Sequence, residues 1–443
     1  MIKTKNRHIF KKVPAQGTKS LMNKLSKVES RSMHGQIPIA WKKALDYNVF
    51  DISNNKFIDF TSTIFVTNIG HSNKRLIRYL KKGINERLIH SYAYINKIRE
   101  IYIKKLVSFA GKGFQKAFLM SSGTEATEAA LKLMRLNGQK LKKRRLGIIC
   151  FEGNWHGRTM GAQMMSGNIK QKEWIGYKDK NIFHLPFPYP WKVNEVNSEK
   201  FLIKSLSKLK KRVDLKKDIC GVMIETFQGW GAVYYPKKFI KLLDKICKKN
   251  KILISFDEMQ AGFARTGYNF GYEYYGIKPD IICCGKGMGG GVALSGVIGK
   301  KNILDLPEVG NMSSTNSANP LSCYAGLAVI DEIKSKNLVL KTKKKGKILS
   351  EYLKKIKNNL PKNILSIQCK GLIGAIIFKK SKRFDIANEL KKIVLNCMKD
   401  GLIVVYTGRE SIKIGPPLSI TNSALEEGLK ILENNINKVF SKK

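Results

Sequence analysis

Ile281-Ile282-Cys283-Cys284-Gly285-Lys286-Gly287-Met288-Gly289-Gly290-Gly291 is an apolar run that ends on one lysine ringed by glycine. The run reads as a buried strand. The lysine at its tip is a poor structural choice, because a buried ammonium needs a partner and the glycines cost backbone entropy. It suits an amine that must lose its proton and bond covalently to a carbonyl. Upstream, a second run, Ile252-Leu253-Ile254-Ser255-Phe256, ends on an acid in the same way, at Asp257.

Outward from these two runs the same grammar repeats. Leu146-Gly147-Ile148-Ile149-Cys150 and Gly221-Val222-Met223-Ile224-Glu225 are further short apolar strands, and helices such as Ser121 to Arg135 alternate with them. Near-continuous apolar strands joined by helices predict an α/β fold with a mainly parallel sheet covered on both faces. That pattern spans about 61–325, the expected large domain. Residues 1–60 are basic and irregular, then carry two short strands, and are expected to pack with the small domain. From 326 to 443 the character changes to a smaller α+β unit. Its last helix carries Leu425, Leu429, Leu432 and Ile436 on one stripe.

Bulk properties narrow the class. A chain of 443 residues with 43% hydrophobic composition can bury two or three packed units. No apolar stretch is long enough to span a bilayer, and the basic start Met1-Ile2-Lys3-Thr4-Lys5-Asn6-Arg7 lacks a secretory apolar segment. A cytoplasmic location is expected. The formal charge of +49 raises nucleic-acid binding as an alternative class. The lysines, however, are dispersed along the chain with Ile and Asn, which reads as solvated helix faces and no specific nucleic-acid partner. The eight cysteines form no CxxC pair, and the histidines are not spaced as metal ligands. Buried, reduced thiols and no metal are expected.

The polar segments between these elements carry chemistry. In Ser121-Ser122-Gly123-Thr124-Glu125-Ala126, Ser122 and Glu125 form a capping box that starts a helix, and Asn137-Gly138 is expected to end it. Gly123 and Thr124 then offer N–H groups at a positive helix terminus, a phosphate site. In Asn154-Trp155-His156-Gly157-Arg158-Thr159, Trp155 is a candidate to stack on a flat ring and Arg158 to fork a carboxylate, with His156 a structural hydrogen-bonder. Gln260 can reach a ring hydroxyl. The loop Ser313 to Pro320 adds hydroxyls before another capped helix. A Schiff-base lysine, an aspartate for a pyridinium nitrogen and a phosphate cradle are what pyridoxal 5'-phosphate asks of a protein.

With these residues the chain resembles the class-III pyridoxal-phosphate-dependent aminotransferases of fold type I, the ornithine, 4-aminobutyrate and ω-aminotransferase group. The resemblance runs from about Gly35 to the C-terminus. It rests on Ser122 to Ala126, His156 to Thr159, Gln228-Gly229, Asp257 to Gly267, Pro279-Asp280, Lys286, Asn319-Pro320-Leu321 and Pro416-Pro417-Leu418. It implies a homodimer with shared sites. It makes Lys286 the lysine of the internal aldimine and Asp257 the partner of the pyridine nitrogen. Gly123 and Thr124 would bind phosphate with Thr315 of the partner subunit, Trp155 would stack on the ring, and Arg158 would bind a substrate carboxylate.

Two positions depart from that family. Glutamate-using relatives carry a Glu after Gln-Gly, paired with an Arg before Pro-Pro-Leu; here these are Trp230 and Lys413. Trp230 would narrow the pocket, while Lys413 or Arg409 would hold a carboxylate, so weak use of 2-oxoglutarate is expected. The implied function is ping-pong amino transfer between an amino acid or ω-amine and a keto acid. An aminomutase, racemase or decarboxylase of the same family is the alternative.

Overall fold

The computed structural model describes residues 1–382 and 384–440. The chain divides into two compact units. One comprises Arg75–Gly229 and Val233–Val339; the other comprises Met1–Lys74, Trp230–Ala232 and Leu340–Lys443. The expected boundary at 325/326 falls within a helix, Pro320–Ser335, which belongs wholly to the first unit.

The first unit is built on seven strands: β1 (Lys116–Met120), β2 (Gly147–Phe151), β3 (Ile182–Leu185), β4 (Ile219–Glu225), β5 (Leu253–Asp257), β6 (Ile281–Cys284) and β7 (Ser295–Gly299). Their spatial order is β1-β7-β6-β5-β4-β2-β3. The neighbours from β6 to β3 are parallel, whereas β7 runs antiparallel to both β6 and β1. Every residue of β2, β4, β6 and β7 is buried, which is why their sequences are continuous apolar runs rather than alternations.

Helix α1 (Gly123–Lys140) covers one face of this sheet. Its Ala126, Ala129, Ala130, Leu133 and Met134 join Ile148, Cys150, Cys220, Met223, Ile281, Cys283 and Val297 in one apolar cluster. The expected stop at Asn137-Gly138 does not occur, since the helix continues to Lys140. Gly138 is a contact glycine: a side-chain carbon there would lie 2.6 Å from Cys220 Cβ. The start agrees with the reading. Glu125 Oε2 accepts the Ser122 N–H at 2.7 Å while the Ser122 hydroxyl accepts the Glu125 N–H.

In the second unit the two ends of the chain share one sheet. Ile2–Lys3, His8–Ile9, Lys56–Asp59, Asn48–Asp51 and Trp41–Leu45 follow one another, and Leu402–Ile403 lies parallel to Lys56–Asp59. A four-stranded antiparallel sheet (Ile364–Lys370, Ile373–Phe378, Ser411–Ile414, Val405–Tyr406) completes it. Leu425, Leu429, Leu432 and Ile436 of the last helix, Asn422–Phe440, are all buried. All eight cysteines are free, and seven are buried. Among the described residues no helix is long and apolar enough to cross a membrane.

Candidate active site

The parallel strands of the first unit share a direction, so their C-terminal ends lie at one edge of the sheet. Asp257 ends β5 and Glu225 ends β4, paired in register. Lys286 stands two residues past β6, partly buried, in the left-handed region at φ 47°. Holding a non-glycine residue there costs about 1–3 kcal/mol and is met most often at functional sites. Burial pulls the Lys286 ammonium below the usual lysine range, while the Asp257 and Glu225 carboxylates oppose that pull. The result is an amine easier to deprotonate than a solvated lysine.

Asp257 is 6% exposed. Its Oδ2 lies 3.0 Å from His156 Nδ1, and its Oδ1 accepts the Met259 N–H at 3.1 Å. His156 is fixed on three sides. Its N–H donates to Ser166 Oγ (2.9 Å), its carbonyl accepts from Thr127 Oγ1 (2.7 Å), and its Nδ1 faces Asp257. Its Nε2 is buried without a hydrogen-bond partner. Sequence reasoning placed His156 as a structural hydrogen-bonder, and its contacts are of that kind.

The N-terminus of α1 reaches the same edge. A side-chain carbon at Gly123 would lie 2.8 Å from Met259 Sδ, and one at Gly285 would lie 2.7 Å from that sulfur. Glycine at both places lets the helix start and the lysine loop close on the segment after Asp257. Thr124 Oγ1 lies 2.6 Å from Thr159 Oγ1, and a side chain at Gly157 would collide with Thr124. The Ser122 carbonyl accepts from Ser295 Oγ at 2.6 Å, which ties the helix start to β7. Gln260 packs over Gly229, where a side chain would strike its amide. Trp155 is partly buried, with the exposed Arg158 guanidinium 4.7 Å from its ring centre.

The remaining candidates have contacts of their own. Thr315 is exposed, and its carbonyl lies 2.9 Å from His90 Nε2; its neighbour Ser314 donates to Glu125 Oε1 at 3.2 Å. Trp230, Arg409 and Lys413 belong to the second unit. There Arg409 stacks 3.7 Å above the Trp230 ring, Ser411 Oγ donates to the Trp230 carbonyl at 2.9 Å, and buried Lys413 lies 4.6 Å above Phe65. Sequence reasoning missed Glu225. Its Oε2 accepts the Trp155 N–H (2.8 Å) and its Oε1 the Gly229 N–H (3.1 Å). The available signal was an acid closing an apolar run, the same one that exposed Asp257.

The profile of the family Aminotransferase class-III matches residues 30–436. The chain belongs to the class-III aminotransferases. Mitochondrial acetylornithine aminotransferase of Candida glabrata is 33% identical to this class-III aminotransferase over 410 residues, covering 90% of this chain and 91% of its own. The acetylornithine/succinyldiaminopimelate aminotransferase of Buchnera aphidicola is 32% identical over 419 residues, covering 93% and 95%. Among solved structures, acetylornithine aminotransferase from Elizabethkingia anophelis superposes with a TM-score of 0.79 at 25% identity, covering 95% of this chain and 99% of that one. An aminotransferase from Bacillus anthracis superposes at 0.87 and 23% identity, covering 97% and 100%, which establishes the shared fold.

The residues present fit pyridoxal 5'-phosphate. Gly123, Gly157 and Gly285 let the start of α1, the Trp155 loop and the lysine loop close on one another, since a side chain at any of them would strike Met259 or Thr124. Donors at a helix N-terminus, a buried carboxylate and an amine of lowered basicity face the same sheet edge.

Proposed function

We propose that this class-III aminotransferase uses pyridoxal 5'-phosphate to move an amino group between an amino acid or ω-amine and a keto acid, with ping-pong kinetics. The observation that carries the reading is Lys286, a strained, partly buried lysine in the field of Asp257 at the end of a parallel sheet. When bound, the cofactor supplies an aldehyde for that amine and a ring that withdraws electrons from the substrate carbon. Lys286 would act as the base toward the proton on the substrate carbon that bears the amine, and then as the acid that returns it on the far side of the nitrogen. Asp257, oriented by His156 Nδ1 and the Met259 N–H, keeps a ring nitrogen protonated. Ser122, Gly123 and Thr124 hold the phosphate at the start of α1, joined by Thr315 of the partner subunit. Trp155 stacks on the ring, and Gln260 reaches its hydroxyl.

Relatives named acetylornithine aminotransferase support an ω-amine of ornithine type as donor. Arg158 and Lys413 are assigned to substrate carboxylates, and Trp230 to narrowing the pocket, so 2-oxoglutarate is expected to be a weak acceptor. Efficient glutamate turnover would overturn that assignment. The working form is proposed to be a homodimer in the cytoplasm, testable by sedimentation and cell fractionation.

The direct test incubates purified protein with pyridoxal phosphate and reduces it with borohydride. A label on the peptide containing Lys286 supports the reading, and its absence ends it. Donor alone should then release one carbonyl product per site, an aldehyde from an ω-amine, and stop. Continued turnover without acceptor would favour the aminomutase, racemase or decarboxylase alternative.

A further inference from the structure

The catalytic edge carries a second acid that the mechanism leaves without a task. Glu225 is 4% exposed, and its Cα sits opposite that of Asp257 across the parallel pair β4 and β5. Two carboxylates side by side in a dry place are costly unless each is matched. Asp257 is met by His156 and the Met259 N–H. Glu225 is met by main-chain donors from two separate segments: Trp155, in the loop after β2, and Gly229, in the turn after β4. Backbone amides as partners make the grip independent of the side chains in those segments. The bonds also fix the backbone from which Trp155 projects and the turn over which Gln260 packs.

Resting on the cofactor reading above, we propose that Glu225 is a positioning residue with two separable jobs. Its two oxygens tether the Trp155 loop and the Gly229 turn to the end of β4, and its carboxylate, in register with Asp257 on the strand beside β5, adds a second negative charge to the sheet edge that Lys286 closes. The charged and titratable groups around that amine are Asp257 and Glu225, which both favour the ammonium, and His156, which is bonded to Asp257. Removing one of the two negative charges leaves burial less opposed, so the amine becomes free at lower pH.

Two variants separate the jobs. Glu225→Gln removes the charge and turns an amide N–H₂ toward one of the two backbone donors. Glu225→Asp keeps the charge but is one methylene too short to reach both. The readout is competitive acetylation of Lys286 in the full-length chain stripped of cofactor, followed by mass spectrometry across pH. E225Q should move the Lys286 midpoint to lower pH than in wild type. E225D should leave the midpoint near that of wild type yet weaken pyridoxal phosphate binding by about tenfold, the loss of one charge-assisted bond. An unmoved midpoint in E225Q overturns the electrostatic job, and wild-type cofactor affinity in E225D overturns the tether. If E225Q fails to fold, E225D still decides the tether on its own, and its midpoint decides the charge: a midpoint moved to lower pH despite the retained carboxylate overturns that job. Wild-type protein that borohydride does not label at Lys286 would mean that the cofactor reading itself has failed. A labelled wild type with unmoved variants would sink only the role given to Glu225.

Discussion

On the proposed reading Lys286 alone supplies the amine for the covalent chemistry, so Lys286→Ala should abolish turnover. Far-UV circular dichroism should stay unchanged, because the side chain fills no core position; residual turnover without added amine would refute its role. A second residue gives a pH prediction. Glu258 is fully buried and accepts from Thr226 Oγ1, the Gly271 N–H and the Tyr272 N–H, the last two at 2.7 Å. Burial pushes its carboxyl up from 4.5 to about 7, against the pull of those donors. A carboxyl raised in this sense binds its proton more tightly folded than unfolded. Its contribution is therefore full below about 4.5 and is lost as pH rises through about 7, a change on the order of 3 kcal/mol. Glu258→Gln cannot titrate and sets an amide N–H₂ against a backbone donor. The melting-temperature gap between wild type and E258Q should narrow between pH 5 and pH 8; a constant gap would show that Glu258 does not titrate there. Lys286 and Asp257 were legible in the sequence because each is a charged residue closing an apolar run. Glu225 closes one too, but its role depends on N–H groups from the loop at Trp155 and the turn at Gly229. No local pattern encodes that meeting.

Among the elements, the loop from Asn154 to Thr159 is tightly constrained. Gly157 adopts φ 141° and sits against Thr124 Oγ1, with 2.8 Å left between a would-be side-chain carbon and Ala162 Cβ. Gly157→Ala must therefore shift either this loop or the start of α1. A cost of about 1–3 kcal/mol is expected, read as at least a roughly tenfold weaker pyridoxal phosphate affinity in a fluorescence titration. Unchanged affinity would show that Thr124 lies outside the phosphate cradle. The start of α1 was readable because a capping box is written in adjacent residues. Its end was not, because Gly138 answers to Cys220 on a neighbouring strand rather than to its own helix. The direction of β7 was also hidden. Its apolar run looks like any other, and the short connection from Gly285 to Leu294, with one 3-10 turn at Lys286–Met288 and no α-helix, goes with its antiparallel course.

Over the whole molecule, charge and connectivity matter most. With a formal charge of +49, the protein should adhere to any polyanion at low salt. If the dispersed lysines are only solvated surface, retention on DNA should vanish by about 0.3 M salt and show no sequence preference. Sequence-selective retention above that concentration would point to a dedicated surface. The pairing of Lys56–Asp59 with Leu402–Ile403 bears on how the chain is made. A ribosome releases the first of these strands long before the second exists. The intervening stretch from Arg75 holds all of the seven-stranded unit, which can therefore close on itself during synthesis. The opening segment must wait, its sheet incomplete, until translation is almost finished. Chaperone dependence should therefore fall on the first seventy or so residues rather than on the seven-stranded unit.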